Sequence, residues 1–104
     1  DLDRVAEATA VTGFANAGQV CISAQRVLVN DDVYGDFIDA LKPRVDALTT
    51  GNPIEEGVNV GPMIREADAE RVNDWIGEAV SAGARVVSGG SPDCPCCQRA
   101  AMVS

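Results

Sequence analysis

The stretch FANAGQVCISAQRV, from Phe14 to Val27, sets a single cysteine, Cys21, two residues after a Gly-Gln pair and just ahead of an apolar run. A cysteine acts as a nucleophile when it lies partly exposed in a turn whose dipoles or neighbouring cations favour the thiolate. A chain break at Gly18 after a helix lets the backbone turn sharply and lay the Cys21 sulfur toward a cleft. The N–H groups of such a turn can then face an oxyanion. The competing reading is a small buried apolar residue, because free cysteine is among the residue types most often found inside proteins. The local pattern alone favours burial.

No histidine occurs in the chain. Cys-His and Ser-His-Asp hydrolases both need an imidazole base, so neither can be assembled from these residues alone. A carboxylate base stays open, yet Glu7, Glu55, Glu56, Glu66, Glu70 and Glu78 fall on predicted helix surfaces or in a loop and read as solvated charges. The other three cysteines crowd into CPCC as Cys94, Cys96 and Cys97. Structural zinc takes four ligands and vicinal cysteines can hardly fill two tetrahedral corners, so no metal site is assigned and the segment reads as an unstructured tail. Gly89-Gly90 and the Gly57–Gly61 loop match neither GxGxxG nor a P-loop and read as turn glycines. Trp75, at helical spacing, reads as core and not as a stacking platform.

Sixteen acidic and eight basic residues give a net charge of −8, with the cations scattered along the chain. Binding to nucleic acid through phosphate neutralisation is therefore disfavoured, as is docking on an anionic membrane. No apolar run approaches the roughly 20 residues of a membrane span, and DLDRVAEATA lacks the features of a signal peptide. A cytoplasmic protein is expected. With 104 residues, of which 46% are apolar and 23% charged, the chain is expected to fold as one small unit.

Leu2, Val5, Ala6, Ala10, Phe14 and Ala17 recur at steps of three and four, which predicts a helix over 2–17 with a small-residue face for close packing. Val27, Leu28 and Val29 in RVLVN predict a short strand covered on both faces. Val33, Phe37, Leu41, Val45 and Leu48 predict a second helix over 32–48, with a kink or early stop at Pro43. TTGNPIEEGVNVGPM is too often punctuated by Gly and Pro for regular structure. Val72, Trp75, Ile76, Ala79 and Val80 form the stripe of a third helix over 65–82, closed by Gly83, and ARVVSGG follows as a second strand.

The order helix-strand-helix-helix-strand implies an α/β layer, with helices packed on a parallel sheet. Two parallel strands make a poor sheet by themselves, so the chain reads as part of a larger domain.

Together these residues resemble the catalytic domain of the NAD(P)-dependent aldehyde dehydrogenase superfamily. The resemblance rests on Phe14, Gly18, Gln19 and Cys21 as F-x-x-x-G-Q-x-C, on Arg26, and on the ordered blocks RVLVN, VYGDFIDAL, GNP, GPMI and AVSAGARVVSGG. It runs in order over residues 1–90, and residues 91–104 are set apart as a divergent Cys-rich tail, expected to be disordered. The NAGQVCIS wording resembles the branch acting on small hydroxy- or phosphonoaldehydes. The resemblance implies that the Cys21 thiolate attacks an aldehyde, that hydride passes to NAD or NADP, and that water hydrolyses the resulting thioester. It implies further that the Cys21 N–H contributes to the oxyanion hole, that Val20 and Ile22 line the aldehyde tunnel, and that Gly18 and Gln19 shape the turn. The expected partner is a small-molecule aldehyde, with no nucleic acid and no membrane, and the parent enzyme is expected to be a homo-oligomer, dimer or tetramer.

The family's water-activating glutamate, its oxyanion asparagine, its Rossmann-like cofactor domain and its second glutamate motif have no counterpart in this sequence. The expectation is therefore a catalytic-domain fragment of an aldehyde dehydrogenase, inactive by itself and binding no cofactor. The alternative is a non-enzymatic remnant or interaction module that keeps the fold elements only. A thiol-redox or zinc protein using CPCC ranks last. Coding sequence on both sides separates the first two: an in-frame cofactor domain favours the enzyme fragment, and flanking stop codons favour the remnant.

Overall fold

The computed structural model describes residues 1–90, together with the backbone of the short strands β2 (Pro92–Cys94), β3 (Cys97–Gln98) and β4 (Met102–Val103). Before them come helices α1 (Leu2–Phe14), α2 (Asp31–Asp46) and α3 (Glu66–Ser81), then strand β1 (Val86–Ser88). A tight turn, Ala15–Gly18, follows α1 directly. The expectation of a disordered tail falls partly outside the described residues; within it, β2 pairs antiparallel with β3, and β4 pairs antiparallel with β1.

Helices α1 and α2 each begin at a side-chain cap. The Asp1 carboxylate accepts from Arg4 N at 3.4 Å to start α1, and the Asn30 side chain accepts from Asp32 N at 2.9 Å to start α2. Asp31 and Asp32 add negative charge at the positive end of α2. Pro43 does not stop α2 at once. It lies in the last turn, where the one bond its missing N–H removes is near the helix end anyway, and the helix closes three residues later at Asp46, short of the expected Leu48. After α3, Gly83 adopts φ +105°, a conformation that L side chains rarely take, and so terminates the helix as expected.

The core lies between α1 and α2. Ala6 and Ala10 let the two backbones approach, and Phe37, Leu41 and Val45 fill the space from α2, with Leu2, Phe14, Val29 and Ile38 packed at the edge. Arg44 donates to Asp3 at 3.0 Å and so links the last turn of α2 to the first turn of α1. The buried Ser88 hydroxyl of β1 donates to Asp46 Oδ1 and fastens the strand to the end of α2.

The α/β order is that of a partial domain, but two expectations within it are corrected. Residues 23–30 carry no assigned secondary structure, so RVLVN has no ladder partner among the described residues, and Leu28 is 94% exposed. A strand is made by its neighbours, and among the described residues no strand pairs with this run. The expected parallel sheet is accordingly absent among the described residues, where parallel pairing is limited to one bridge, Thr50 to Val60. Trp75 is the second correction, since it is 58% exposed instead of core. Trp75 stands at the open side of the α3 stripe, whose Val72, Ile76 and Ala79 are half-buried, and the Arg71 guanidinium lies 5.3 Å from its ring centroid.

Candidate active site

The backbone that carries Cys21 leaves α1 through three consecutive residues with left-handed dihedrals. These are Asn16 (φ 51°), Ala17 (φ 57°) and Gly18 (φ 73°). Glycine adopts this region freely and asparagine tolerates it, but an alanine there costs about 1–2 kcal/mol. Strain of this kind persists only where the surroundings over-determine it, and the surroundings here are hydrogen bonds on both sides of the turn. Gln19 N donates to Asn16 O at 3.1 Å, the Gln19 side chain donates to the same carbonyl at 3.2 Å, and Asn16 Nδ2 donates to Gln19 O at 3.4 Å.

A second turn follows at once, closed by Ser23 N donating to Val20 O at 3.0 Å, with Cys21 and Ile22 at its two central positions. Ser23 Oγ donates to Thr12 O and Gly13 O at 3.2 and 3.3 Å, and Ala24 N donates to Thr12 O at 3.2 Å. The last carbonyls of α1, which have no helical donor, are thereby satisfied by the same residues that fix the turn.

Cys21 is an exposed free thiol at the tip of this turn, which reverses the burial that the local pattern favours. Ile22 is 84% exposed beside it, and Val20 is half-buried. The three are brought together by the turn. None of them lines the cleft of about 580 Å³ that opens between α1, α2 and α3, whose wall includes Phe14, Gln19, Tyr34, Met63, Arg71 and Trp75. No described hydrogen bond engages the Cys21 N–H. The six glutamates read as solvated are all exposed.

Opposite the turn, the Gly61–Ile64 loop leads into α3, and its far end is held by charge. Asp68, nearly buried, receives Arg65 Nε at 3.1 Å and Nη2 at 3.2 Å, and Arg71 Nη2 at 3.1 Å. The hydrogen bond from Arg65 holds the Asp68 carboxyl below its ordinary value against the opposing effect of burial, and the charges of Arg65 and Arg71 add to it. A depressed carboxyl stabilises the fold above the unfolded value of about 3.9, and that stabilisation is lost as pH falls through the folded value. An NMR titration of the side-chain carboxyl is expected to place the Asp68 midpoint below about 3.9, and Arg65→Ala is expected to raise it.

Among the described residues no three His, Cys, Asp or Glu side chains converge on a metal position. The CPCC cluster lies outside the residues whose side chains are described. The Gly57–Gly61 loop is tied to itself: Thr49 N donates to Asn59 Oδ1 at 2.9 Å, and Thr49 Oγ1 donates to Gly57 O. The Asn59 and Val60 N–H groups both donate to Thr49 O at 3.0 Å.

Sequence reasoning missed Asn16, Ser23 and the partner of Gln19. Asparagine ahead of glycine was a readable signal for left-handed backbone, and serine after a helix end was one for local bonding to carbonyls. Nothing in the sequence marked Ile64, 45 residues from Gln19, as the donor to its side chain.

Against known proteins, the family model described as "Aldehyde dehydrogenase family" matches residues 1–103. The chain belongs to the aldehyde dehydrogenase family. That match continues past residue 90, where the motif resemblance ends, into the segment read as divergent. The chain is 45% identical over 93 residues to the 3-sulfolactaldehyde dehydrogenase of Priestia megaterium, covering 89% of this chain and 20% of that protein. It is 45% identical over 92 residues to the glutarate-semialdehyde dehydrogenase of Pseudomonas aeruginosa, covering 88% and 19%. Among solved structures, glyceraldehyde-3-phosphate dehydrogenase of Methanocaldococcus jannaschii complexed with NADP superposes with a TM-score of 0.95 at 31% identity, over 99% of this chain and 22% of that one. The chain thus spans about a fifth of the length of the curated relatives it matches. No helix among the described residues is long and apolar enough to cross a membrane.

Proposed function

We propose that Cys21 is the nucleophile of an enzyme that oxidises an aldehyde to a carboxylic acid with NAD+ or NADP+, and that this segment supplies the nucleophile but not the cofactor site. The observation that carries the proposal is the exposed thiol at the tip of a turn reached through three left-handed residues, in a family member.

The Cys21 thiolate forms a C–S bond to the aldehyde carbon, and the carbonyl electron pair moves to oxygen. That oxyanion is met by the Cys21 N–H, in keeping with the absence of a described hydrogen bond from that group. Val20 and Ile22, on either side of Cys21 in the turn, line the path of the approaching aldehyde. Bound elsewhere in the enzyme, NAD+ or NADP+ is the hydride acceptor that leaves Cys21 acylated. Water then cleaves the Cys21 thioester, releasing the acid and restoring the thiol. Over the cycle, aldehyde, NAD(P)+ and water become carboxylic acid, NAD(P)H and a proton.

The substrate class is a small hydroxy- or phosphonoaldehyde, in keeping with the NAGQVCIS wording and with the 3-sulfolactaldehyde named for one relative. The enzyme is cytoplasmic and a homo-oligomer. The isolated 104-residue chain is expected to be inactive, read as no rise in reduced-cofactor absorbance with aldehyde and NAD+ or NADP+. Turnover by the isolated chain overturns the division between nucleophile and cofactor site.

A further inference from the structure

Resting on the assignment of Cys21 as nucleophile, we infer that Gln19 is a positioning residue that clamps the Cys21 turn to the entrance of α3, so that the thiol is held where an aldehyde meets it. Its side-chain amide is used at both ends. Nε2 donates to Asn16 O at 3.2 Å, inside the turn, and Oε1 accepts from Ile64 N at 3.2 Å, on the far loop. The bond to Ile64 crosses 45 residues of sequence and joins two units that are each anchored elsewhere. On one side the turn is fastened to the end of α1 by Ser23. On the other, Ile64 precedes Arg65, whose backbone opens α3 and whose guanidinium grips Asp68.

The chemistry of the side chain fits that task. A two-ended amide donates to one backbone carbonyl while accepting from one backbone N–H, and no apolar side chain of that length does either. The turn it braces contains Ala17 in a left-handed conformation, which relaxes toward ordinary backbone once the brace is removed. Cys21 lies two residues beyond Gln19, so any such relaxation displaces the nucleophile. Misplacing a reacting group by about 1 Å can cost on the order of 10²-fold in rate.

The test uses the full-length enzyme that carries this segment. Gln19→Met removes both bonds at nearly the same length, whereas Gln19→Glu keeps an acceptor for Ile64 N and loses only the donor to Asn16. Three quantities are read for each variant: amide hydrogen exchange of the 61–65 segment, kcat and KM for aldehyde oxidation, and the pH profile of iodoacetamide alkylation at Cys21. In Gln19→Met, exchange at Ile64 is expected to rise while α2 stays protected, and kcat is expected to fall about 10- to 100-fold with KM little changed. Its alkylation profile is expected to shift. In Gln19→Glu, protection at Ile64 is expected to remain and kcat to recover most of that loss. Unchanged exchange at Ile64 in Gln19→Met overturns the clamp. Raised exchange with unchanged kcat and alkylation overturns the positioning role. Failure of the nucleophile assignment has a separate signature, namely turnover surviving Cys21→Ser.

Discussion

Replacing Cys21 with serine or alanine in the full-length enzyme is expected to lower aldehyde oxidation by on the order of 10³-fold or more, with the folded state unaffected. The size of the loss follows from the chemistry. A serine hydroxyl lacks the acidity of a thiol, and the segment contains no histidine to take its proton. Alanine removes the attacking atom altogether. The absence of a stability effect follows from position, because Cys21 is exposed at the tip of a turn whose hydrogen bonds are made by Val20, Ser23 and Ala24. Single-turnover kinetics with saturating aldehyde check the first half, and thermal unfolding checks the second. A loss below tenfold would contradict the nucleophile assignment.

Phe37→Ala is expected to destabilise the protein by about 3–5 kcal/mol. Phe37 is 3% exposed and packs with Ala6, Ala10, Leu41 and Val45, so the deleted ring leaves a cavity in the α1–α2 contact. A small domain is stable by only about 5–15 kcal/mol, so the isolated chain is expected to lose a large share of its stability, read as an earlier thermal transition in its helical circular dichroism. Leu28→Ala supplies the contrast. In the isolated chain Leu28 stands in solvent, and its truncation is expected to change stability by less than about 0.5 kcal/mol. In the full-length enzyme, with the strand paired and covered, the same change is expected to cost about 2–5 kcal/mol. Equal effects of Leu28→Ala in both settings would show that the remainder of the enzyme does not cover this face.

The helices were legible because each carries its own periodicity and at least one end signal, a side-chain cap or a following glycine. The stripe of Phe37, Leu41 and Val45 announced α2, and Gly83 announced the end of α3. The strand expected at Val27–Val29 does not form because two-sided burial is a statement about neighbours, and none pairs with it among the described residues. Trp75 was misplaced for the same reason: helical spacing identifies a stripe but not what covers it. At the site, the position of Cys21 was legible only through the ordered motifs after it. Its exposure was not, since it depends on the left-handed run from Asn16 to Gly18 and on the Ser23 bonds back to α1. The Gln19–Ile64 contact was beyond reach of any local pattern.

The central claim is that the aldehyde becomes covalently bound to Cys21 during oxidation, and one measurement addresses it directly. The tryptic peptide from Val5 to Arg26 contains Cys21 and no other cysteine, so an adduct there is unambiguous. The full-length enzyme is mixed with aldehyde and NAD+ or NADP+, quenched in acid within the first turnover, digested and weighed by mass spectrometry. The account predicts that this peptide gains the mass of the aldehyde less two hydrogens, the signature of an acyl group on sulfur. Oxidation of the aldehyde with no such gain on that peptide, or with the acyl group on another residue, would contradict it.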